Sequence, residues 1–587
     1  MDYRMRKKDY LIVLAMTVVY AIIAFINLGS MSAPVTGYIP DAERRSAIVF
    51  FEEETKIDWI TYYIGIGGDW YSAGQLDVEY LDENNRFVEL CSLEKPDNRV
   101  FKWLHKEVDV TTTAIRLTTA KYYNPDSNAS GIKGEFYEVA FWEKDSETPV
   151  AIDRVEVLDG NSDGMMMLFD EQDEAVYTPS FMNSTYFDEI YFPRTAYEYM
   201  EGIEPFENTH PPLGKDLIML SYRIFGVNAF AWRFMGTLFG VLMVPLMYIF
   251  GKWVFGKTFL AFGAAFLMMF DFMHFVQTRI GTVDGFLVLF IIVSYMFMYK
   301  YFSTKSYEKG FWKSLVPLLF CGIFFGLGFS VKWIGLFAGA GLAFMFFLSR
   351  ILEYREYRKN KLEIKLFKTK YIWGTMGMCV IFFIVIPAAI YTLSYIPFFK
   401  ATGTEGWFAE LIGSQKHMFS YHSGVTSDHP YASVWWQWPF MVRPVYYYLS
   451  PVLDNGKWGS IASFGNPAIW WGGLVALFWS AWLAIAKKDK RAIIIFAGYL
   501  SILLPWAFSP RKITFLYHYF GCIPFLILSI SYIFGHLLEK YRNAKKGIYI
   551  YLGIVVLLFI GFYPSLSGII VPEWYTKSLR WLPSWFF

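Results

Sequence analysis

The sequence has few charged residues and few cysteines. Only 18% of its 587 residues are charged, whereas 55% are hydrophobic and 20% are aromatic. This composition excludes an ordinary soluble protein, and apolar runs of about 20 residues, long enough to cross a bilayer, indicate a polytopic membrane protein. The four cysteines, at positions 91, 321, 379 and 522, have no metal-type spacing, so neither a disulfide framework nor a zinc site is expected. No acidic cluster requires a metal, and we expect no cofactor and no nucleic-acid partner.

The apolar runs predict about eleven membrane-spanning helices. The first, Leu11–Leu28, follows a basic start; a cleavable signal peptide is the alternative, since small residues follow at 29–33. The others lie near residues 228–250, 258–276, 283–301, 314–331, 333–350, 371–397, 467–486, 491–508, 513–537 and 547–568.

The distribution of basic residues predicts the orientation of these spans. With a cytoplasmic N-terminus, the inner connections carry 26 Lys and Arg, whereas the short outer turns carry four: Arg279, Lys332, Arg511 and Lys512. Basic residues concentrate on the cytoplasmic side of membrane proteins, so this asymmetry favours an external C-terminus and an odd number of spans. We expect a multi-pass plasma-membrane protein, and a lone Cys91 in an external segment favours a bacterial one.

Residues 31–175 contain no spanning run and alternate apolar with polar residues. Strand-like pieces lie at 58–64, 75–81, 86–90, 113–118 and 135–141, and a turn at Asp82–Asn85 joins two of them as a hairpin. Short alternating strands with Gly, Asn and Asp turns favour an extracellular β-sandwich. The order of the strands resembles discoidin-like, galactose-binding domains. That resemblance implies a bound glycan; a spacer packed on the membrane core is the alternative.

A polar stretch at 186–215 separates this region from the second span. It contains two adjacent carboxylates, Asp188 and Glu189, and a His-Pro-Pro turn that begins at His210. The predicted orientation places the whole stretch on the outer side of the membrane.

Several ionisable residues lie at the outer ends of spans. They are Arg233 at the start of the second span, Arg279 and Asp284 around a turn, and Lys332 between two apolar runs. Charges at such depths are costly and are usually paired or functional. Anchoring to lipid headgroups, or mutual pairing such as Arg279 with Asp284, is the alternative.

The outer segment 398–466 is rich in histidine and tryptophan. It contains His422, His429, Trp435, Trp438 and Arg443. A membrane-interface belt of aromatic residues is one interpretation. The other is an aromatic platform for a sugar ring or a polyprenyl chain, beside an arginine suited to phosphate.

These groups fit the transfer of a sugar from a lipid phosphate. The phosphate departs as an anion that Arg or Lys stabilises, and the acceptor hydroxyl, a weak nucleophile, benefits from a base. We predict Asp188 as the base, with Glu189 orienting a partner. The predicted phosphate ligands are Arg233, Arg279, Lys332 and Arg443, and the predicted substrate-binding residues are His210, Asp284, His422, His429, Trp435 and Trp438.

At these residues the chain resembles the protein O-mannosyltransferase family of membrane-embedded glycosyltransferases. The matching stretches are Phe-Asp-Glu-Ile-Tyr-Phe at 187–192, His-Pro-Pro-Leu-Gly-Lys at 210–215, Trp-Arg-Phe at 232–234, Thr-Arg-Ile at 278–280 with Asp284, Ser-Val-Lys-Trp-Ile-Gly-Leu-Phe at 330–337, and segment 421–446. The resemblance implies a polytopic α-helical fold of the GT-C type and an inverting transfer of mannose. The donor would be polyprenyl-phosphate mannose, as co-substrate, and the acceptor a Ser or Thr hydroxyl of an exported protein. It also implies catalytic roles for Asp188 and Glu189 and an important Arg233.

The β-rich insert before Asp188 departs from that family pattern, and no β-trefoil domain is found in the outer loops. The expected organisation is a first span at 1–30, an extracellular β insert at 31–175, a catalytic loop at 176–227, helices at 228–397, an outer loop at 398–466, and C-terminal helices with an external tail at 467–587.

Other functions share some of these features. The same chemistry on a cell-wall polymer or a lipid acceptor is the nearest alternative. A transporter would place charges or broken helices near mid-bilayer in paired halves, whereas the unusual charges here collect at one face. A glycan sensor built on the β domain leaves the later outer motifs unexplained.

Overall fold

The computed structural model describes residues 4–40, 45–66, 74–96, 99–120, 122–124, 129–131, 135–158, 163–426, 429–450, 456–487 and 489–586. The chain divides into two compact units. The first comprises Met1–Asn27, Glu207–Ile218 and Arg233–Phe587, and the second comprises Leu28–Phe206 and Met219–Trp232.

The α-helices are α1 (Lys7–Phe25), α2 (Asp163–Met166), α3 (Phe192–Glu201), α4 (Leu213–Phe225), α5 (Ala229–Phe255), α6 (Thr258–Met269), α7 (Phe272–Thr278), α8 (Asp284–Phe302), α9 (Ser306–Lys309), α10 (Phe311–Val331), α11 (Gly335–Lys359), α12 (Ile364–Leu366), α13 (Thr375–Val380), α14 (Ile386–Ser394), α15 (Ile396–Thr402), α16 (Trp407–Gly424), α17 (Pro467–Lys487), α18 (Arg491–Leu503), α19 (Ile523–Lys540), α20 (Ala544–Ser567) and α21 (Glu573–Ser578). Short 3₁₀ turns lie at Gln172–Glu174, Phe187–Ile190, Trp435–Phe440, Leu504–Ala507 and Leu516–Cys522, and π-helical turns at Phe367–Gly374 and Ile381–Val385.

The strands are β1 (Ser46–Ile64), β2 (Gly74–Leu81), β3 (Phe87–Lys95), β4 (Lys102–Ala120), β5 (Tyr122–Asn124), β6 (Ala129–Gly131), β7 (Phe136–Trp142), β8 (Arg154–Val157), β9 (Val445–Leu449), β10 (Lys457–Trp458), β11 (Ser460–Ser463) and β12 (Val571–Pro572).

The first unit is a bundle of apolar helices. Among the described residues, nine helices are long and apolar enough to cross a membrane, or ten if the bent pair α6–α7 is one span. A shorter apolar helix, Arg491–Ala507, occupies the span predicted at 491–508. The multi-pass helical architecture is therefore confirmed, whereas the count of eleven spans stays a prediction.

The span predicted at 258–276 is broken near its middle. α6 and α7 meet at an angle of 56°. Asp271 lies at the break, where its carboxylate accepts the backbone N–H of His274 at 3.0 Å and the indole N–H of Trp470 at 2.9 Å. A buried carboxylate without donors is costly, so starting a new helix with Asp271 as its N-cap is favourable.

α8 lies inside the bundle and carries Asp284 at its first position. Most of its length is buried, and it packs against α10 and α11. The residues of this helix are apolar on nearly all of its sides, which is typical of a fully buried helix. Its N-terminus is thereby held in a fixed position beside the end of α10.

The second unit contains a six-stranded antiparallel sheet. Its strand order is β3–β2–β4–β1–β7, and β8 also pairs with β1. The first part of β1 pairs with β8 and its last part with β7, while β4 follows β1 along most of its length. The pairing of β1 with β4 shifts register between Phe50 and Thr55. The β-rich prediction is confirmed. Because β1 and β4 run through both halves, the strands form one hydrogen-bonded sheet, and the sandwich arrangement stays a prediction.

Both halves of this sheet contribute to one hydrophobic core. Val49 and Phe51 come from the first part of β1, Tyr62 and Ile64 from its last part, and all four are buried together with Phe141 of β7. Buried apolar surface contributes about 25 cal/mol per Å² to folding, so the shared core stabilises the packing of the two halves.

The predicted hairpin is present as β2 and β3, in which Tyr80 lies opposite Val88. The carboxylate of Asp82 accepts the backbone N–H of Asn84 at 2.9 Å and of Arg86 at 2.7 Å. Asn85 has a φ of 56°, a left-handed conformation that asparagine tolerates. The strand-like pieces at 58–64, 113–118 and 135–141 fall on β1, β4 and β7.

Candidate active site

A buried ion pair joins two helix ends in the first unit. Lys332 follows the last residue of α10, and its Nζ donates to Oδ1 of Asp284, the first residue of α8, at 2.9 Å. The two residues are 5% and 6% exposed. The turn after α10 is tight, since a Cβ on Gly335 would lie 2.9 Å from the carbonyl carbon of Gly328. Asp284 therefore pairs with Lys332, not with Arg279 as the alternative interpretation of the sequence had it.

The His-Pro-Pro turn is held by Glu207, in the same unit. Its carboxylate contacts Nδ1 of His210 at 2.8 Å and accepts from Nζ of Lys215 at 2.7 Å. Lys215 also donates to the carbonyl of His210 at 2.9 Å. Burial raises the pKa of Glu207, but the charge of Lys215 and the hydrogen bonds from His210 and Lys215 outweigh it and hold that pKa well below its usual range.

The protonation of His210 follows from this contact. Burial lowers the pKa of His210, although Glu207 opposes that shift. A neutral imidazole beside an ionised carboxylate carries its proton on Nδ1, so Nε2 of His210 is an acceptor.

His422 of α16 connects the turn to Arg511. Its Nε2 donates to the carbonyl of Thr209 at 2.8 Å, which leaves Nδ1 as an acceptor for Nη1 of Arg511 at 3.5 Å. Burial, with a smaller contribution from neighbouring positive groups, lowers the pKa of His422 to about 3, so the ring is neutral at pH 7. Arg511 also donates through Nε to the carbonyl of Ile513 at 2.9 Å. These contacts orient the guanidinium group.

A cavity of about 280 Å³ lies among these groups. The described residues that line it are Thr209, His210, Pro211, Lys332, Trp333, Ile334, Leu336, Phe337, Phe419, His422, Ser423, Trp506, Ser509, Pro510 and Arg511. None of these described lining residues is a carboxylate; most of the wall is apolar, and Lys332 and Arg511 are its two cations. Such a wall suits a ligand that joins an apolar chain to an anionic group, such as a lipid phosphate.

The two predicted catalytic carboxylates belong to the second unit, on the 3₁₀ turn Phe187–Ile190. Phe187 has a φ of 49°, which is unfavourable for a bulky residue and is a form of strain found at functional sites. Glu189 is fully buried and accepts the backbone N–H of Tyr186 at 3.2 Å, whereas Asp188 is half-buried. The neighbours thus have different surroundings, and their chemical roles stay predictions.

Neither Arg233 nor Arg279 is among the described residues that line the cavity. Arg279 donates to the carbonyls of Ala24, Ile26 and Asn27 at 3.0, 2.7 and 2.8 Å, and so caps the C-terminal end of α1. Arg233 is 1% exposed in the first turns of α5. Phosphate binding by these two arginines stays a prediction.

Trp438 packs in the protein core. It is fully buried, donates to the carbonyl of Ser433 at 3.1 Å, and stacks on His518 with ring centroids 5.8 Å apart. Its ring is enclosed by the protein, and the prediction that Trp438 forms a sugar-binding platform stays a prediction. Trp435, in the same 3₁₀ turn, is half-buried.

Arg443 binds a neighbouring part of the outer segment, and His429 contacts a residue outside it. Nη1 of the exposed Arg443 donates to the carbonyl of Pro430 at 3.0 Å, and His429 packs edge-on against Phe515 with ring centroids 4.9 Å apart. Both residues stabilise the local chain, and their contacts with phosphate and sugar stay predictions.

Three residues of the site received no role from the sequence. Arg511 stood out as a basic residue at an outer turn, but its neighbour Lys512 carried the same signal. Glu207 lies three positions before His210, a spacing that allows a hydrogen bond but occurs widely. Trp506 lies at the end of an apolar run and carried no distinguishing signal.

Two models of known protein families match most of the helical bundle. Residues 221–401 match the model described as dolichyl-phosphate-mannose-protein mannosyltransferase, and residues 407–585 match the C-terminal four-transmembrane region of protein O-mannosyltransferase. The chain belongs to the protein O-mannosyltransferase family. The resemblance seen in the motifs is thereby confirmed, and so is the GT-C-type membrane fold. The β sheet and Asp188 precede the matched regions.

Curated relatives and one solved structure are similar over most of their length. Polyprenol-phosphate-mannose–protein mannosyltransferase of Corynebacterium glutamicum is 26% identical over 435 residues, covering 64% of this chain and 81% of the relative. The enzyme of that name from Mycobacterium tuberculosis is 26% identical over 460 residues, covering 68% and 86%. The Pmt1–Pmt2 complex of Saccharomyces cerevisiae bound to the sugar donor matches with a TM-score of 0.60 at 13% identity, covering 69% of this chain and 89% of that one. This last likeness concerns the fold.

Proposed function

We propose that this chain transfers mannose from a polyprenyl-phosphate mannose to Ser or Thr hydroxyls of exported proteins. The observation that carries the proposal is the cavity in the helical bundle, whose described lining has two cations and no carboxylate. A lipid phosphate presents its anionic group at the membrane surface, where such a cavity binds it. The family and the names of the relatives support mannose as the sugar and protein as the acceptor.

The reaction balances without a further reactant. The acceptor oxygen bonds to C1 of mannose on the face opposite the phosphate, and the bond between C1 and the phosphate oxygen breaks. Its electron pair leaves on the polyprenyl phosphate, and the hydroxyl proton passes to a carboxylate. Attack from the opposite face inverts the configuration at C1.

Asp188 is the base in this proposal. It is the less buried of the adjacent carboxylates and is therefore the more accessible of the two to an acceptor hydroxyl. The buried Glu189 holds the backbone N–H of Tyr186 and thereby positions the turn that carries Asp188.

Lys332 stabilises the leaving phosphate while Asp284 holds its ammonium group in place. Arg233, Arg279 and Arg443 are further phosphate ligands in the proposal. Nε2 of His210, fixed as an acceptor by Glu207, suits a sugar hydroxyl.

The proposed orientation places the N-terminus in the cytoplasm and the active site outside the plasma membrane, as the distribution of basic residues favours. The β sheet of the second unit then lies outside the cell, where it is suited to bind a glycan or an exported acceptor. Labelling of single cysteines at 83 and 361 by an impermeant thiol reagent in intact cells tests this, since position 83 alone should react.

The activity is tested with purified protein, polyprenyl-phosphate mannose and a peptide rich in Ser and Thr. Asp188→Asn should lower kcat by about 10²- to 10⁴-fold, because a positioned base contributes that much, and should leave the donor KM nearly unchanged. Glu83→Gln, an exposed carboxylate of the β2–β3 turn, is the matched control.

Two outcomes contradict parts of the proposal separately. Wild-type rates in Asp188→Asn would refute the base assignment. If no lipid-linked sugar supports transfer to peptide, cell-wall polymer or lipid, the enzyme class itself is wrong.

A further inference from the structure

A residue of the cavity wall has a buried donor to which the described part of the protein offers no acceptor. Trp506 lines the cavity and is 7% exposed, and its indole Nε1 has no hydrogen-bond partner in the described part of the chain. By contrast, Trp333, which also lines the cavity, donates to the hydroxyl of Tyr391 at 3.1 Å. Buried N–H groups are nearly always paired, so an unpaired one at a cavity wall points to a ligand that supplies the acceptor.

The indole of Trp506 is fixed by its neighbours. It packs edge-on against Phe337, Trp438 and His518, with ring centroids 5.6, 5.3 and 4.5 Å apart. A ring packed on several sides cannot turn its N–H away to find another acceptor. The fully buried Trp438 thereby acquires a role, since it supports the ring of Trp506.

Arg511 is the cation of this wall for which the described residues offer no counter-charge. The charge of Lys332 is balanced by Asp284 at 2.9 Å. No ion pair of Arg511 is found among the described residues; its guanidinium group contacts the carbonyl of Ile513 and Nδ1 of His422, which is neutral. A guanidinium has five N–H donors, so Arg511 retains donors for a ligand after these two contacts.

We propose that Arg511 and Trp506 bind the phosphate of the lipid-linked donor, with His422 as a positioning residue for Arg511. The inference rests on the proposed function and names further ligands for its donor. Arg511 provides the charge and a planar pair of donors, and Trp506 provides one neutral donor to a second phosphate oxygen. His422 acts through Arg511, because its Nδ1 accepts from the guanidinium while its Nε2 is anchored to Thr209.

The test uses the full chain and changes one donor at a time. Trp506→Phe keeps an aromatic ring and removes the N–H, and Arg511→Gln removes the charge. Trp436→Phe and Lys512→Gln are the matched controls, because Trp436 is 55% exposed in the same outer segment and Lys512 is the exposed neighbour of Arg511. The measured quantities are the donor KM, kcat, and the inhibition constant of polyprenyl phosphate.

Trp506→Phe should raise the donor KM and the inhibition constant about fivefold, as expected for one neutral hydrogen bond. Arg511→Gln should raise both about 30- to 100-fold, as expected for charged hydrogen bonds, and Arg511→Lys should recover part of the loss. His422→Phe should raise the donor KM in wild type but add nothing in the Arg511→Gln background. A merely structural role for His422 would add to the effect of Arg511→Gln.

Transfer by wild type with an unchanged donor KM in both Trp506→Phe and Arg511→Gln overturns this inference and leaves the proposed function standing. Equal effects in the two control variants also overturn it. If wild type transfers no sugar at all, the proposed function fails. Binding of radiolabelled polyprenyl phosphate then decides the inference separately: selective loss in the two variants supports it, and equal binding refutes it.

Discussion

Breaking the Lys332–Asp284 pair tests the electrostatics of the cavity wall. Asp284→Asn keeps the shape of the side chain and removes the negative charge, which leaves a buried ammonium group. Removing one member of a buried ion pair typically costs about 3–5 kcal/mol, since the other charge stays desolvated. Lys332 borders the cavity, so water reaches part of its surface, and we expect the lower end of that range, about 3 kcal/mol.

A double-mutant cycle separates the pair from its surroundings. Lys332→Met should also cost about 3 kcal/mol, because it leaves the carboxylate of Asp284 buried without its partner. The double variant should cost less than the sum of the single ones by about 1–3 kcal/mol, since no uncompensated charge remains. Arg154→Gln, which removes an exposed pair with Glu156, should cost less than about 1 kcal/mol and is the control.

The measurement is reversible denaturant unfolding of the detergent-solubilised protein, followed by tryptophan fluorescence. Addition of polyprenyl phosphate should raise the stability of Asp284→Asn more than that of wild type, because the phosphate replaces the missing counter-charge. Additive single costs, or a cost of Asp284→Asn no larger than that of Arg154→Gln, would refute the reasoning.

Two further predictions concern the outer segment. Trp438→Ala should cost about 3–5 kcal/mol of unfolding free energy because its ring is buried, whereas Trp436→Ala should cost less than about 0.5 kcal/mol; equal costs would contradict the packing described. The pKa of His422, about 3, lies below the roughly 6.5 of an unfolded histidine, so the unfolded chain binds the extra proton and wild type loses stability as the pH falls below 6.5. The loss should reach about 2 kcal/mol at pH 5 and be absent in His422→Gln; unfolding curves with the same pH dependence in both would show that the folded histidine also takes up the proton.

Local alternation predicted strands well where one face of the sheet is buried. The hairpin at 75–81 and 86–90 is an example, because its alternate residues face the core and its turn residues bond to Asp82. The full length of β1 was not predictable. The polar run at 52–55 hides the continuation of the strand to Ser46, and the pairing that keeps it extended comes from β4, distant in sequence.

The helix α16 lies where the sequence predicted only an outer loop rich in aromatic residues and histidine. The less exposed side of α16 is a narrow row that contains both apolar and polar residues. Leu411, Gln415, Met418 and His422 follow one another there at helical spacing. Its exposed side carries the apolar Phe408, so the helix has no distinct polar face and its hydrophobic periodicity is weak. Gln415, which accepts from the hydroxyl of Tyr391 at 2.5 Å, anchors the helix through a contact that no local pattern reveals.

The basic residues at the outer ends of spans show most clearly what a sequence can and cannot specify. The sequence identifies a charge that must be stabilised, but each of these residues meets that requirement differently. Arg279 binds carbonyls at the end of α1, Lys332 pairs with a carboxylate 48 positions away, and Lys512 is exposed. Arg511 lines a cavity, and the described residues use only part of its hydrogen-bonding capacity. A basic residue that carbonyls or a carboxylate of the fold already bind needs no ligand, so Arg511, which has no ion pair among the described residues, is the one with most to gain from a phosphate.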